Sequence, residues 1–161
     1  MSKVALQLQV NGESHDLLIE QHWTLLHVLR TQLGLTGTKE NCLEAECGVC
    51  TVLLDGKAVN SCILLAVQCS GHDILTIEGL GRPGHLHPLQ QAFIDHGAAQ
   101  CGYCTPGMLL TAKSWLDENP GVVPPADAVR EAIAGTLCRC TGYQKIIDAV
   151  IAAAAAIQAR G

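Results

Sequence analysis

The sequence has few aromatic residues and no clusters of positive charge. Aromatic side chains make up 3% of the 161 residues, and the formal net charge at pH 7 is -5. The chain is nevertheless 48% hydrophobic, so it can build a core, and that core must rest on Leu, Ile, Val and Ala. Because no basic stripe is present, we do not expect nucleic acid to be a partner.

We also expect neither a secretory signal nor a membrane-spanning segment. The N-terminal stretch MSKVALQLQV alternates apolar and polar residues and lacks the apolar run and cleavage site of a signal peptide, which predicts a cytoplasmic protein. The apolar stretch from 146 to 159 is shorter than the about 20 residues that cross a bilayer, and it contains Asp148. We therefore predict a buried or interface helix there and no membrane span.

The first half of the chain has the pattern of a small mixed sheet with one helix across it. Two turn signals, Asn11-Gly12 and Asp55-Gly56, each separate two extended apolar patterns and predict hairpins. Between them, helical spacing follows Trp23, with Thr24 as its predicted cap. The stretch DILTIEG, residues 73–79, alternates again and is predicted to be a strand.

The second half has helical periodicity throughout. Residues 79–88 concentrate Gly, Pro and His and predict a linker. Four predicted helices follow, in the segments 89–99, 106–119, 126–135 and 143–159, and together they indicate a four-helix bundle. The predicted fold class is α+β, with domains at 1–78 and 89–161.

Eight of the nine cysteines fall into two sets of four. The first set is Cys42, Cys47, Cys50 and Cys62; the second set is Cys101, Cys104, Cys138 and Cys140. The x4, x2 spacing of the first three is typical of a plant-type [2Fe-2S] site, whereas zinc sites usually present two short knuckles. Disulfides are disfavoured because reducing compartments keep thiols free. Gly48 suits a close approach of the loop to a cluster, and the ninth cysteine, Cys69, is predicted to be a buried apolar filler.

The second set alone could hold either zinc or an iron-sulfur cluster. Its local setting favours iron, because Cys104-Thr105-Pro106 and Cys140-Thr141-Gly142 both read as helix openings with Thr as the N-cap. Helix N-termini offer free N–H donors and positive potential, which stabilise an anionic cluster. We therefore predict that both thiolate pairs lie at helix N-termini.

Other polar residues give weaker signals. The acidic side chains Glu40, Glu44 and Glu46 are predicted to be a solvated face of the first loop. His85 and His87 are predicted to be exposed linker residues, and Arg139 fits either an ordinary surface residue or charge compensation of a cluster. The sequence has no phosphate-cradling loop and no nucleophile triad, so we expect no substrate-transforming site in this chain.

Three segments resemble a known family. GTKENCLEAECGVCTVLLDGKAVNSC (37–62), QCGYCTPGM (100–108) and TLCRCTGYQKI (136–146) are similar to the small iron-sulfur subunit of the xanthine dehydrogenase-like molybdenum hydroxylases. The resemblance implies an N-terminal ferredoxin-like (β-grasp) domain and a C-terminal helical domain, each holding one [2Fe-2S] cluster. It implies a flavin-proximal cluster at the first cysteine set and a molybdenum-proximal cluster at the second, with Gln100 and Cys140 close to the pterin. For Gln100, packing of the side chain within a helix is the alternative.

The resemblance also implies a function and partners. Such a chain relays single electrons between an FAD-binding medium subunit and a molybdopterin-binding large subunit, in a dimer of heterotrimers. Asn41, Leu43 and Ala45 stand where family members usually have glycine. This variant loop is most similar to that of 4-hydroxybenzoyl-CoA reductase, which removes a phenolic hydroxyl from an aromatic thioester in aromatic compound catabolism. The alternatives are a hydroxylating member acting on N-heterocycles, aldehydes or carbon monoxide, an independent ferredoxin, and a zinc-stapled structural adaptor.

Overall fold

The computed structural model describes residues 3–160. Met1, Ser2 and Gly161, the outer ends of the two predicted domains, lie outside the described residues. Within residues 3–160 the chain forms a five-stranded mixed sheet and six helices, which agrees with the predicted α+β class. No helix in this part of the chain combines the length and apolar character needed to cross a bilayer.

The sheet is built from two hairpins and one inserted strand. The strands are β1 (Lys3–Val10), β2 (Glu13–Glu20), β3 (Thr51–Leu54), β4 (Lys57–Asn60) and β5 (Asp73–Leu75), in the order β2-β1-β5-β3-β4. Strand β5 pairs parallel to β1 and antiparallel to β3. Asn11 and Gly12 both have positive φ, at 54° and 82°, as a tight hairpin turn requires. Both predicted hairpins are confirmed.

One helix lies in the sheet half and five follow the sheet. They are α1 (Leu25–Thr31), α2 (Ile77–Leu80), α3 (Pro88–Asp95), α4 (Thr105–Glu118), α5 (Ala126–Ile133) and α6 (Gln144–Gln158), and a short 3-10 turn spans Ala66–Cys69. Helix α1 has the predicted cap, since the Thr24 hydroxyl accepts a hydrogen bond from the His27 N–H at 3.2 Å. The four helices predicted after residue 88 are all present; three are slightly shorter than predicted, and α4 has the predicted length but begins one residue earlier.

The strand predicted over residues 73–79 is wrong in its second half. Strand β5 ends at Leu75, and Ile77 begins helix α2. Side-chain hydrogen bonds explain the break. Over a long range, the Asn11 side chain bonds both the N–H and the hydroxyl of Thr76. Locally, the Glu78 carboxylate accepts from the Thr76 hydroxyl at 2.6 Å. These contacts turn the chain away from the sheet, although its apolar pattern still alternates.

The core consists of two main groups of buried side chains. One fills the space between the sheet and α1 and includes Leu8, Leu29 and Cys69. The other joins Leu53 of β3 to the helices of the second half, which contribute buried side chains such as Met108. The two halves therefore pack directly on each other, and the division into domains at 79–88 stays a prediction.

Candidate metal centres

The thiols of the first cysteine set meet in two pairs. Cys42 is in hydrogen-bond contact with Cys47, and Cys50 is in hydrogen-bond contact with Cys62. Three of these four lie on the loop between α1 and β3, and Cys62 follows β4. The loop is sharply bent, because its positions 43, 45 and 48 all have φ between 62° and 68°.

Backbone N–H groups of the loop donate to the Cys42 sulfur. The N–H of Glu44, the thiol and N–H of Cys47, and the N–H of Glu46 together lower the pKa of Cys42 to about 7. Burial, followed by the neighbouring Cys62, raises the pKa of Cys50 to about 11. The loop thus offers donors to one thiolate, while the buried thiolate needs cationic metal to be stable.

The second cysteine set also forms two pairs. Cys101 and Cys140 are both exposed, with their sulfur atoms 3.5 Å apart. Cys104 is buried and is in hydrogen-bond contact with Cys138. Burial and the Cys138 thiol raise the pKa of Cys104 to about 12. One pair therefore faces solvent and the other faces the protein interior.

Hydrogen bonds favour the thiolate at two positions of this set. Burial on its own raises the pKa of Cys138, but hydrogen bonds from the side chain and N–H of Thr141, the N–H of Cys140 and the Cys104 thiol together outweigh it, so the net shift is downward. The Thr141 hydroxyl lies 3.1 Å from the Cys138 sulfur. The N–H of Tyr103, then the Cys140 thiol, lower the pKa of Cys101, and the same contact with Cys101 raises the pKa of Cys140.

The prediction that Thr caps two helices beside the thiolates is wrong. Cys104 itself is the N-cap of α4, and Thr105 is the first helical residue. Before α6, the Thr141 hydroxyl accepts from the Tyr143 N–H at 3.1 Å, and Tyr143 takes a left-handed backbone with φ 68°. This turn delays the helix to Gln144, so only Cys104 lies at a helix N-terminus.

Paired thiols fit a [2Fe-2S] cluster. Such a cluster takes two protein ligands on each of its two irons, so four thiols must converge as two adjacent pairs. Within residues 3–160, no three His, Cys, Asp or Glu side chains form a group that could hold a metal ion by themselves. Four cysteine pairs, two in each set, are what the structure provides.

The two cysteine sets lie against each other. Cys47, Val49 and Cys104 form one buried group, with Cys42 and Cys138 packed at its edge. A backbone hydrogen bond crosses between the sets, from the Leu137 N–H to the Cys47 carbonyl at 2.9 Å. The Tyr103 hydroxyl makes a second bond across, to the carbonyl of Glu40. A cavity of about 240 Å³ beside this contact is lined by residues of both sets, including Cys47, Cys104 and Cys140.

Two glycines allow this close contact. A Cβ atom at Gly48 would lie 2.2 Å from the Gly135 carbonyl oxygen, and a Cβ atom at Gly107 would lie 2.6 Å from the Gly48 carbonyl oxygen. Both distances are far below van der Waals contact. We call this meeting of loop 47–49 with Gly107 and residues 135–137 the backbone junction.

The structure also places the other predicted residues. Gln100 is exposed on the segment before Cys101, so packing within a helix is wrong for it. Arg139 is exposed and lines the cavity beside the second set, and Cys69 is fully buried in the sheet-side core, as predicted. His87 is not a free linker residue, since its Nδ1 caps helix α3 by accepting the Leu89 N–H at 3.2 Å.

The sequence reasoning missed two supporting residues. The Asn60 side chain contacts the first cysteine loop, and the Tyr143 hydroxyl accepts the Cys138 N–H at 2.8 Å. The available signal was position in the sequence, since Asn60 precedes Cys62 by two residues and Tyr143 follows Cys140 by three. Neither spacing identifies the group that the side chain contacts.

Comparisons with known proteins agree with this donor chemistry. Residues 76–151, which contain the whole second cysteine set, match the family model of the [2Fe-2S] binding domain. At the second cysteine set this match favours an iron-sulfur cluster over zinc.

Relatives that match nearly the whole chain narrow down the class of iron-sulfur protein. The chain is 48% identical over 150 residues to the nicotinate dehydrogenase small FeS subunit of Eubacterium barkeri, covering 93% of this chain and 94% of that one. It superposes on quinoline 2-oxidoreductase from Pseudomonas putida 86 with a TM-score of 0.92 and 46% identity, covering 100% of this chain and 99% of that chain. Aldehyde oxidoreductase from Desulfovibrio gigas gives a TM-score of 0.92 at 43% identity, covering 98% of this chain and 18% of that larger one.

The chain belongs to the family of small iron-sulfur subunits of the molybdenum hydroxylases. The predicted family is confirmed, and so is the prediction of an oxidoreductase subunit. The individual ligand assignments and the pterin contacts of Gln100 and Cys140 stay predictions.

Proposed function

We propose that this chain is the electron-transfer subunit of a cytoplasmic molybdenum-flavin oxidoreductase. It holds two [2Fe-2S] clusters that relay single electrons between an FAD-binding subunit and a molybdopterin-binding subunit, in a dimer of heterotrimers. Each bound cluster supplies one-electron chemistry. A ferredoxin-like domain carries the first and a four-helix-bundle domain the second.

The sulfur pairs support one assignment of ligands to each iron. In the first site Cys42 and Cys47 would hold one iron, and Cys50 and Cys62 would hold the other. In the second site the exposed pair Cys101 and Cys140 would hold one iron, and the inner pair Cys104 and Cys138 would hold the other. The contacts between the thiols support each assignment.

The backbone junction is the main observation in support of electron transfer between the two sites. The Leu137 N–H precedes Cys138 by one residue and donates directly to the carbonyl of Cys47. A ligand of one site is thereby joined to a ligand of the other through covalent bonds and a single hydrogen bond. Buried Val49 and Cys104 pack at the contact between the two sites.

The exposed sides of the two sites suit two different partners. The second site is open at Cys101 and Cys140, next to exposed Gln100, which supports contact with the pterin of the large subunit. The first site has exposed apolar side chains beside its ligands, Leu43 at 54% and Ile63 at 61%, which supports docking of the flavin subunit there.

Two substrate classes belong to the proposal. The names of the relatives, which act on nicotinate, quinoline and aldehydes, support hydroxylation of an N-heterocycle or an aldehyde. The loop residues Asn41, Leu43 and Ala45 support reductive dehydroxylation by a 4-hydroxybenzoyl-CoA reductase. Assay of the purified complex with N-heterocycles, aldehydes, carbon monoxide and benzoyl-CoA-type thioesters decides between them.

Metal analysis and purification test the relay itself. We expect about four irons and four acid-labile sulfides per chain, and two distinct EPR signals after reduction. We also expect the chain to purify with flavin- and molybdopterin-containing subunits. Zinc in place of iron, or a lone chain at physiological salt, would contradict the proposal.

A further inference from the structure

We propose that Asn60 is a positioning residue for the first iron-sulfur site. Its side-chain amide holds the loop 42–47 in the bent conformation that presents Cys42 and Cys47 to the cluster. The inference rests on the ligand assignment of the proposed function.

Asn60 contacts three separate parts of the first site. It is the last residue of β4 and precedes Cys62 by two positions. Its Nδ2 donates to the carbonyl of Ala45 at 3.2 Å. Its Oδ1 lies 3.4 Å from the Thr51 hydroxyl and 3.9 Å from the Cys50 sulfur. One amide therefore links the loop, the start of β3 and the segment that carries the fourth thiol.

The bonded carbonyl belongs to a strained residue. Ala45 has φ 63°, a left-handed conformation that an L-residue with a Cβ adopts only at a cost and that glycine adopts freely. The Ala45 side chain also packs against Cys50 and Cys62, so the loop cannot relax without disturbing the ligands. The bond from Asn60 compensates for the missing glycine.

Leu43 provides an internal comparison. It has nearly the same backbone, with φ 62°, but it is exposed, and within residues 3–160 no side chain donates to its carbonyl. Glycine at either position would relieve strain in the same loop. Only glycine at 45 would remove the need for Asn60.

The decisive experiment is a set of variants in the cluster-loaded chain: Asn60→Ala, Asn60→Ala with Ala45→Gly, and Asn60→Ala with Leu43→Gly. Loss of each cluster to an iron chelator is followed through its own EPR signal, with the second cluster as internal control. We expect Asn60→Ala to accelerate loss of the first cluster about three- to tenfold, as for one lost hydrogen bond, and to leave the second unchanged. In the Asn60→Ala background, Ala45→Gly should return the rate of loss of the first cluster to that of the wild type, and Leu43→Gly should not.

An isosteric variant provides a second readout. Asn60→Asp loses the donor to Ala45 and places a carboxylate beside Cys50, so the reduction potential of the first cluster should fall while that of the second stays constant. Asn60→Ala with unaltered cluster loss, or equal rescue by Leu43→Gly, would overturn the role of Asn60. A wild-type chain without a first cluster would instead overturn the proposed function.

Discussion

Substituting Gly107 by Ala tests the backbone junction directly. Gly107 lies in helix α4, where Ala is the better helix former by about 1 kcal/mol. Local propensity therefore predicts stabilisation. The added Cβ, however, would lie 2.6 Å from the Gly48 carbonyl oxygen and 3.2 Å from both the Cα and the carbonyl oxygen of Val49, all of them backbone atoms. Helix and loop must separate, because none of these three contacts can be relieved by a rotamer change.

The two effects can be compared in size. Overpacking of this kind costs about 1–3 kcal/mol, and a clash with backbone belongs in the upper part of that range. After the helix-propensity gain, we expect a net loss of about 1–2 kcal/mol in the free energy of unfolding. In a chain of this length each kcal/mol lowers Tm by about 2–4 °C. Separation of the sites should also weaken the magnetic interaction between the two reduced clusters in EPR.

Gly135 offers a matched control in the same junction. A Cβ there meets no atom within 4 Å, and Gly135 has no positive φ. Gly135→Ala should therefore leave Tm unchanged or raise it slightly. Thermal unfolding of both variants, loaded with clusters, compares them. If Gly107→Ala equals or exceeds the Tm of Gly135→Ala, the steric reasoning is refuted.

Three further outcomes follow from the same structure. Burial lowers the pKa of His87, so the hydrogen bond that its side chain accepts from the Leu89 N–H stabilises the fold fully above the unfolded pKa of 6.5. This stability is lost as pH falls through the lowered folded pKa. Between pH 7.5 and 5 the unfolding midpoint should therefore drop more in the wild type than in His87→Asn, which keeps an acceptor without titrating. Cys104→Ala should remove the second EPR signal, halve the iron content to about two per chain, and stop electron exchange between molybdenum and flavin while molybdenum still reacts once with substrate; unimpaired turnover would contradict the relay. Cys69→Ala should retain all the iron, measured by metal analysis. Loss of iron in this variant would contradict the prediction that Cys69 only fills the core.

Local sequence signals predicted most of the secondary structure. Asn11-Gly12 and Asp55-Gly56 define hairpins because their backbone conformations need no distant partner. Helices such as α4 were predictable because periodicity and flanking residues are local properties. The stretch after Leu75 was not, because bonds from Asn11 decide its path across more than sixty positions of the chain.

The thiols that pair in the structure belong to the sets predicted from spacing, but the arrangement of the two sets was not predictable. Spacing separates the sets because loop closure limits which thiols can meet. Their mutual contact depends on the hydrogen bond between Leu137 and Cys47, which no spacing encodes. Gly107 carried a usable signal, since a glycine inside a helical pattern indicates a packing reason. Asn60 carried only its nearness to Cys62, because its partner Ala45 is defined only by the folded loop.

The backbone junction also makes the two halves a matched pair. The carbonyl of Gly48 faces Gly107 with no room for a methyl group between them. A chimera that joins this helical half to the sheet half of another protein must therefore contain a loop whose backbone approaches Gly107 as closely as the Gly48 peptide does. This steric fit, together with the packing of Leu53 on the helices, limits the exchange of halves between homologues.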